Sequence, residues 1–210
     1  MSDASAALIY GNGARLTDEL FDALRREHPL LIAADGGACH VLAHGALPDI
    51  IIGDMDSFTD PAPDGVRLIR DPDQETNDLQ KALNWALAHR VTEATIVGAA
   101  GDRLDHNLNN LSVLLEFSGR FARLQLVDGF GRHVVVHTEL ALETSPGRTV
   151  SLYPLSGRVT GVTTEGLRYP LSDEPLEPGV RTGCLNEATG DHCRITVKSG
   201  ALLVSVAHGN

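Results

Sequence analysis

Two aspartates one residue apart, Asp54 and Asp56, close an apolar run in which Ile50, Ile51 and Ile52 lead into Gly53. A β-branched run of this kind reads as a buried strand. Such a strand delivers its trailing carboxylates to the edge of a sheet, and in open α/β sheets ligands bind beyond the carboxyl ends of the strands. Alternate residues of an extended segment point the same way. The spacing therefore predicts that Asp54 and Asp56 converge on one cation. Carboxylate oxygens are hard ligands that suit Mg²⁺ or Mn²⁺, so the chemistry in view is metal-assisted work on phosphates.

Other acids stand at comparable places. Asp35 ends an apolar run before Gly36 and Gly37, Asp78 opens a helical pattern, and Asp105 opens another. Asn77 followed by Gln80 three residues on has the form of a capping box. Asp78 then lies in a first helical turn, where a negative charge offsets the helix dipole. Alone it need do no more, but beside Asp54 and Asp56 it reads as a third metal ligand. The stretch from Gly98 to His106 joins a glycine loop to a helix start, and helix starts bind phosphate through free N–H groups. There Arg103 can clamp a phosphate oxygen and Asp105 can accept a proton. Plainer readings exist for each. Asp54 and Asp35 are acceptable turn residues, Asp49 is an ordinary turn acid after Pro48, Asp105 can be a helix cap, and His106 a packed histidine.

These residues need a scaffold that gathers strand ends. Apolar runs over 6–10, 30–34, 50–52, 94–97 and 124–127, with a weaker one over 66–69, predict strands. Helical spacing joins Leu16, Leu20 and Leu24, fills 38–43 and 79–88, and joins Leu104, Leu108, Leu111 and Leu115. Strands alternating with helices imply a mostly parallel, doubly wound, Rossmann-like α/β sheet covered on both faces. After Val127 the texture changes. Short β-branched runs over 134–137, 150–153, 159–163, 193–198 and 202–207 are separated by turn residues, with no helical pattern among them. They predict a smaller all-β sandwich domain. The expected domains are 1–127, carrying the metal and phosphate site, and 128–210.

Composition narrows the class. The 210 residues are 42% apolar, enough for a packed core, and no apolar run approaches a bilayer span. The stretch Met1-Ser2-Asp3-Ala4-Ser5 lacks the basic segment of a signal peptide, so the expected location is the cytoplasm. A formal net charge of −11 argues against a nucleic-acid backbone as partner, though not against a nucleotide arriving with a metal. The three cysteines show no CxxC spacing, which fits free thiols in a reducing compartment. Cys184, His192 and Cys193 lack a suitably spaced fourth zinc ligand, and neither a P-loop nor a GxGxxG turn is present.

Taken together, Asp35-Gly36-Gly37-Ala38, the run from Pro48 to Ser57, Asp73-Gln74 with Asn77-Asp78 and Lys81-Ala82-Leu83, and the run from Gly98 to Asn110 resemble the thiamine pyrophosphokinase (thiamine diphosphokinase) family. Gly166-Leu167, Tyr169, Leu171 and Asn186-Glu187 extend the resemblance over nearly the whole chain. It implies a Mg²⁺-dependent transfer of the diphosphate of ATP to the hydroxyl of thiamine, giving thiamine diphosphate and AMP. It also implies a homodimer with active sites between subunits and a second domain that binds thiamine. Carried over residue by residue, Asp54, Asp56 and Asp78 hold the metal with Asp35 close by, and Gln74, Arg103 and Asp105 line the ATP and transfer site. Gly11 and Asn12 meet the nucleotide, and Tyr169 and Asn186 belong to the thiamine side. The general base is Asp105, Asp35 or Asp56. Asn77 replaces the family's usual Thr, Cys39 an Asn, Tyr169 a Trp, and Leu185 a Ser. Alternatives are a related phosphotransferase acting on another alcohol, or a thiamine- or nucleotide-binding protein without catalysis.

Overall fold

A computed structural model describes residues 5–101 and 103–209; the segment 1–4 read for a leader, and Asp102 of the glycine loop, lie outside the described residues. The chain divides into two compact units, Met1–Gly129 and Phe130–Asn210. The first unit carries β1 (Ala6–Tyr10), α1 (Asp18–Glu27), β2 (Leu30–Ala34), α2 (Gly37–Ala43), β3 (Ile50–Gly53), β4 (Arg67–Arg70), α3 (Asp78–Ala88), β5 (Glu93–Val97), α4 (Leu104–Phe117) and β6 (Arg123–Val127). Its strands lie in the order β6-β5-β1-β2-β3-β4, and every pairing among them is parallel. From β1 the chain winds outward to β4, then returns to the other side of β1 for β5 and β6. The expected doubly wound α/β architecture is thus present, with its switch point between β1 and β5. At such a point the diverging connections open a crevice beyond the strand ends.

Burial follows the topology. β2 and β3 are buried along their whole length, because a parallel strand with neighbours on both sides and helices on both faces has no solvated side. β4 is an edge strand, and its exposed Arg67 and Arg70 discourage further pairing there. Helix α1 is capped by Thr17, whose side chain accepts the Leu20 N–H, with Asp18 and Glu19 in the first turn and Arg25 and Arg26 in the last. That charge order complements the helix dipole. Leu16 lies before this helix rather than on it. It is buried in the same cluster as Phe21, the positions of a hydrophobic staple.

Helix α4 departs from the expected face. Leu104 and Leu108 are exposed, and the buried residues are Val113, Leu114 and Phe117. The leucine spacing marks the helix correctly but not its core side, which lies in the C-terminal half. Among the described residues, no helix is long and apolar enough to cross a membrane.

The second unit is all-β, as expected, with more strands than the sequence pattern gives. It carries β7 (Gly131–Val136), β8 (Glu139–Glu143), β9 (Thr149–Pro154), β10 (Val159–Glu165), β11 (Glu174–Leu176), β12 (Gly183–Glu187), β13 (His192–Thr196) and β14 (Leu202–Ala207). Antiparallel ladders run β12-β9-β14-β7 and β11-β10-β13-β8. Val150, Leu152 and Val204 from the first ladder and Val162, Leu176 and Ile195 from the second share one core cluster. This is the two-layer packing of a β-sandwich. The register of β12 against β9 shifts between Gly183 and Asn186, where Leu185 has a positive φ of 58°.

Candidate active site

The switch point is built from backbone. The loop after β1 runs against the loop after β5: Gly11 N–H donates to Val97 O at 2.8 Å, Gly13 N–H to Gly98 O at 2.6 Å, and Ala14 N–H to Ala100 O at 2.6 Å. A Cβ on Gly13 would stand 2.5 Å from Ala100 O, and one on Gly37 would stand 2.2 Å from Tyr10 O. These contacts leave no room for side chains, which is why glycine recurs there. Asn12 leans on the next loop, since a Cβ on Gly36 would lie 2.3 Å from its amide nitrogen. The N–H of Gly11 is already taken by Val97, so Gly11 supplies close packing rather than an anion donor. Helix α4 pins the glycine loop from the other side. The Asn107 side chain exchanges two hydrogen bonds with Gly101, at 2.9 and 2.8 Å, and Asn110 donates to Ala99 O at 2.7 Å.

The acids gather at the ends of β2 and β3. One carboxylate oxygen from each of Asp35, Asp54 and Asp78 lies within 4.8 Å of the other two. Gly53 makes this possible, because a Cβ there would stand 2.7 Å from Asp35 Cβ and 3.0 Å from Asp78 Oδ1. Asp78 is presented by the first turn of α3, held by a complete capping box. Gln80 N–H donates to Asn77 Oδ1 at 2.8 Å and Asn77 N–H to Gln80 Oε1 at 3.0 Å. Asp78 Oδ1 accepts the Asp54 N–H at 3.3 Å and the Lys81 ammonium at 3.1 Å.

Asp54 and Asp56 do not follow one another on an extended segment. The strand stops at Gly53, and Met55 turns the chain into the left-handed region at φ 66°. The premise of an extended segment therefore fails one residue past the strand. Asp54 Oδ1 instead accepts the Asp56 N–H at 3.1 Å. Asp56 is exposed and accepts the Ser57 hydroxyl at 2.9 Å. Asp35 takes the third place in the cluster. It is buried, at 2% exposure, and its two oxygens accept the Ser57 and Phe58 N–H groups, both at 3.0 Å. A carboxylate has about four lone-pair sites, so each oxygen keeps one for a further partner. Burial pushes the Asp35 carboxyl above its ordinary range against the pull of those two amides, and contact with Asp56 and the charge of Asp78 add to the rise. Asp54 moves the other way. The Gln74 amide, 3.0 Å from Oδ2, and the Asp56 N–H hold its carboxyl low, and the Lys81 charge helps. The donor set suits a small divalent cation: carboxylate oxygens on separate elements, with a glycine where a side chain would fill the gap.

Arg103 and Asp105 face each other. The guanidinium donates through Nε at 3.2 Å and Nη2 at 2.6 Å, and both side chains are exposed. This fork holds the Asp105 carboxyl down at about 2. Such a carboxylate is a weak base. Asp105 sits inside α4 rather than at its cap, which is Arg103, whose side chain makes no capping hydrogen bond. In the second unit, Asn186 is buried and serves the backbone: it accepts the Tyr169 N–H at 3.0 Å and donates to Tyr169 O at 2.8 Å. Tyr169 is left 63% exposed, with the Arg168 guanidinium 5.8 Å from its ring centroid. Sequence reasoning passed over Gly53, Lys81 and Asn107 as site residues; the first is visible only as a glycine at the end of a β-branched strand, the second as a lysine in a first helical turn.

Two family models match the chain, the thiamin pyrophosphokinase catalytic domain over residues 21–127 and the thiamin pyrophosphokinase vitamin B1 binding domain over residues 133–202. The chain belongs to the thiamin pyrophosphokinase family. Among its relatives, thiamine pyrophosphokinase from Bacillus subtilis is 26% identical over 187 residues, covering 85% of this chain and 87% of that protein. Thiamine pyrophosphokinase 1 from Arabidopsis thaliana is 29% identical, covering 88% and 80%. The crystal structure of the Bacillus subtilis protein superposes with a TM-score of 0.86 at 24% identity, covering 98% of this chain and all of that one. The yeast thiamin pyrophosphokinase structure gives 0.82 at 18% identity, covering 99% and 88%. The thiamin pyrophosphokinase catalytic-domain match includes every acid of the cluster as well as Arg103 and Asp105, and begins after Gly11 and Asn12. Tyr169 and Asn186 fall within the B1-binding match.

Proposed function

We propose that this chain is a thiamine diphosphokinase. The thiamine hydroxyl oxygen bonds to the β-phosphorus of ATP, the bond from that phosphorus to the α,β-bridging oxygen breaks, AMP leaves, and the hydroxyl proton passes to a base. The observation that carries the reading is the convergence of Asp35, Asp54 and Asp78 at the strand ends of a chain both of whose units match this family. Asp54 and Asp78 would hold a Mg²⁺ ion, with Asp35 completing the set and Asp56 beside it; a bound ion of this kind neutralises polyphosphate charge.

The remaining roles follow from what each side chain touches. Gln74 fixes the Asp54 carboxylate, and the Asn77 cap fixes the turn that presents Asp78. Arg103 exchanges Asp105 for phosphate oxygens and stabilises the charge that develops on them. Asp105, released from that fork, orients the thiamine hydroxyl. Its low proton affinity favours this over deprotonation, and Asp35, whose carboxyl burial holds above its ordinary range, is the better base, with Asp56 beside it as the alternative. The glycine loops with Gly11 and Asn12 border the nucleotide. The exposed Tyr169 face receives the flat rings of thiamine, and Asn186 acts through it as a positioning residue. We extend the proposal to a homodimer acting in the cytoplasm.

Product analysis tests it. The purified chain with ATP, thiamine and Mg²⁺ is expected to release AMP and thiamine diphosphate in equal amounts. Formation of ADP with thiamine monophosphate would overturn the diphosphate transfer, and ATP turnover only with another alcohol would overturn the acceptor.

A further inference from the structure

Lys81 is an awkward residue for its position by two local rules. It lies in the first turn of α3, where the helix dipole disfavours a cation. Its side chain is also only 3% exposed, and lysine is almost never so buried unless paired. Leu79, Ala82 and Leu83 around it are buried apolar residues. An apolar side chain would serve packing and helix better. Its ammonium donates to Asp78 Oδ1 at 3.1 Å, the same oxygen that takes the Asp54 N–H. Its charge also acts across the cluster on Asp54. At 3% exposure it is not placed to grip an incoming phosphate from solution.

We propose that Lys81 is a resident counter-ion of the acidic cluster: it positions the Asp78 carboxylate and restrains the affinity of the cluster for a divalent cation. The ammonium offsets part of the repulsion among three carboxylates that stand within 4.8 Å of one another. The restraint follows from charge alone, since a fixed cation a few ångströms from a bound divalent ion repels it. The function of such a restraint is exchange, because an ion that travels with the nucleotide must also leave with the products. Lys81 is a positioning residue here, acting through Asp78. The proposal rests on the reading that these acids hold a divalent ion.

The test is a Mn²⁺ titration of the full chain without nucleotide or thiamine, with free Mn²⁺ followed by electron paramagnetic resonance. Lys81→Met removes the charge and keeps the length. It is expected to bind Mn²⁺ about tenfold more tightly than the wild type, a fraction of what unit charges a few ångströms apart can exert at an effective dielectric near 20. Lys81→Arg keeps the charge and is expected to stay within about threefold. Equal or weaker binding by Lys81→Met overturns the role of Lys81 and leaves the metal reading standing, whereas no Mn²⁺ binding by either protein overturns both. If Lys81→Met folds only with Mn²⁺ present, that rescue supports the proposal, because the metal then supplies the missing charge. If it does not fold at all, Lys81→Arg decides, and a tenfold change in its affinity overturns the proposal.

Discussion

Asp54 is the acid most open to direct test, because its neighbours fix it without depending on it for the fold. Its carboxylate accepts Gln74 and the Asp56 N–H at a half-buried strand end, and neither bond crosses the core. Asp54→Asn keeps the shape and an acceptor oxygen while removing the charge. Turnover is expected to fall by about a hundredfold or more, the scale seen when a preorganised charge-stabilising group is lost, with an unchanged circular dichroism spectrum. Near-normal turnover would remove Asp54 from the metal site. Gly53 is the steric counterpart. In Gly53→Ala the new methyl meets Asp35 Cβ and Asp78 Oδ1, an overpacking that costs about 1–3 kcal/mol in urea unfolding and is expected to weaken Mn²⁺ binding as well. The Arg103–Asp105 fork gives a pH prediction with a definite sign. Asp105 is depressed from 3.8 to about 2 chiefly by the guanidinium. A depressed carboxyl favours the folded form above its unfolded value and loses that contribution as pH falls through the folded one; for a pair this exposed the effect on stability is slight. The observable is the titration itself: in Arg103→Gln the Asp105 carboxyl is expected to climb toward 3.8 by carbon-13 NMR, and an unmoved midpoint would assign the depression to another cause.

At the scale of elements, the capping box of α3 links fold to site. Asn77→Ala removes the acceptor for the Gln80 N–H and is expected to cost about 1 kcal/mol, read as a lower thermal midpoint. Because Asp78 is the next residue, turnover is expected to fall further than that stability loss explains. This element was legible in the sequence because caps are local: Asn77, Asp78 and Gln80 carry the signal within four positions. The place of Asp35 was legible only as an acid close by, not as a member of the cluster. Choosing Asp35 over Asp56 depends on the φ of Met55, and a methionine carries no sign of a left-handed turn as a glycine or asparagine would. Helix α4 was legible as a helix and misleading as a face, since Leu104 and Leu108 hold helical spacing yet point to solvent; nothing in the structure accounts for their exposure. Strand β8, with the sequence Glu-Leu-Ala-Leu-Glu, has the composition of a helix. It is a strand because β13 pairs with it along its whole length, a tertiary choice that local propensity does not record.

For the whole molecule, the parallel order of the first unit explains why acids far apart in sequence meet. Asp35 and Asp54 follow neighbouring strands β2 and β3, and all the parallel strands end on one edge. That much follows from alternating apolar runs and helices, and so was readable in advance. The net charge of −11 then has a functional consequence under the proposed reaction. Thiamine carries a fixed positive charge, and an acidic surface draws a cation toward it and raises its local concentration. ATP carries the opposite charge, and its metal offsets only part of the repulsion. Salt shortens the reach of both effects, since the screening length falls from about 30 Å at 0.01 M to about 8 Å at 0.15 M. Across that range the KM for thiamine is expected to rise severalfold with kcat nearly constant, while the KM for Mg-ATP stays level or falls. Steady-state kinetics at fixed Mg²⁺ and pH, with the salt varied by an inert electrolyte, separate the two substrates. A KM for thiamine that ignores salt would mean that only charges in direct contact with the ring guide it, and that the acidic balance of the chain has no part in capture.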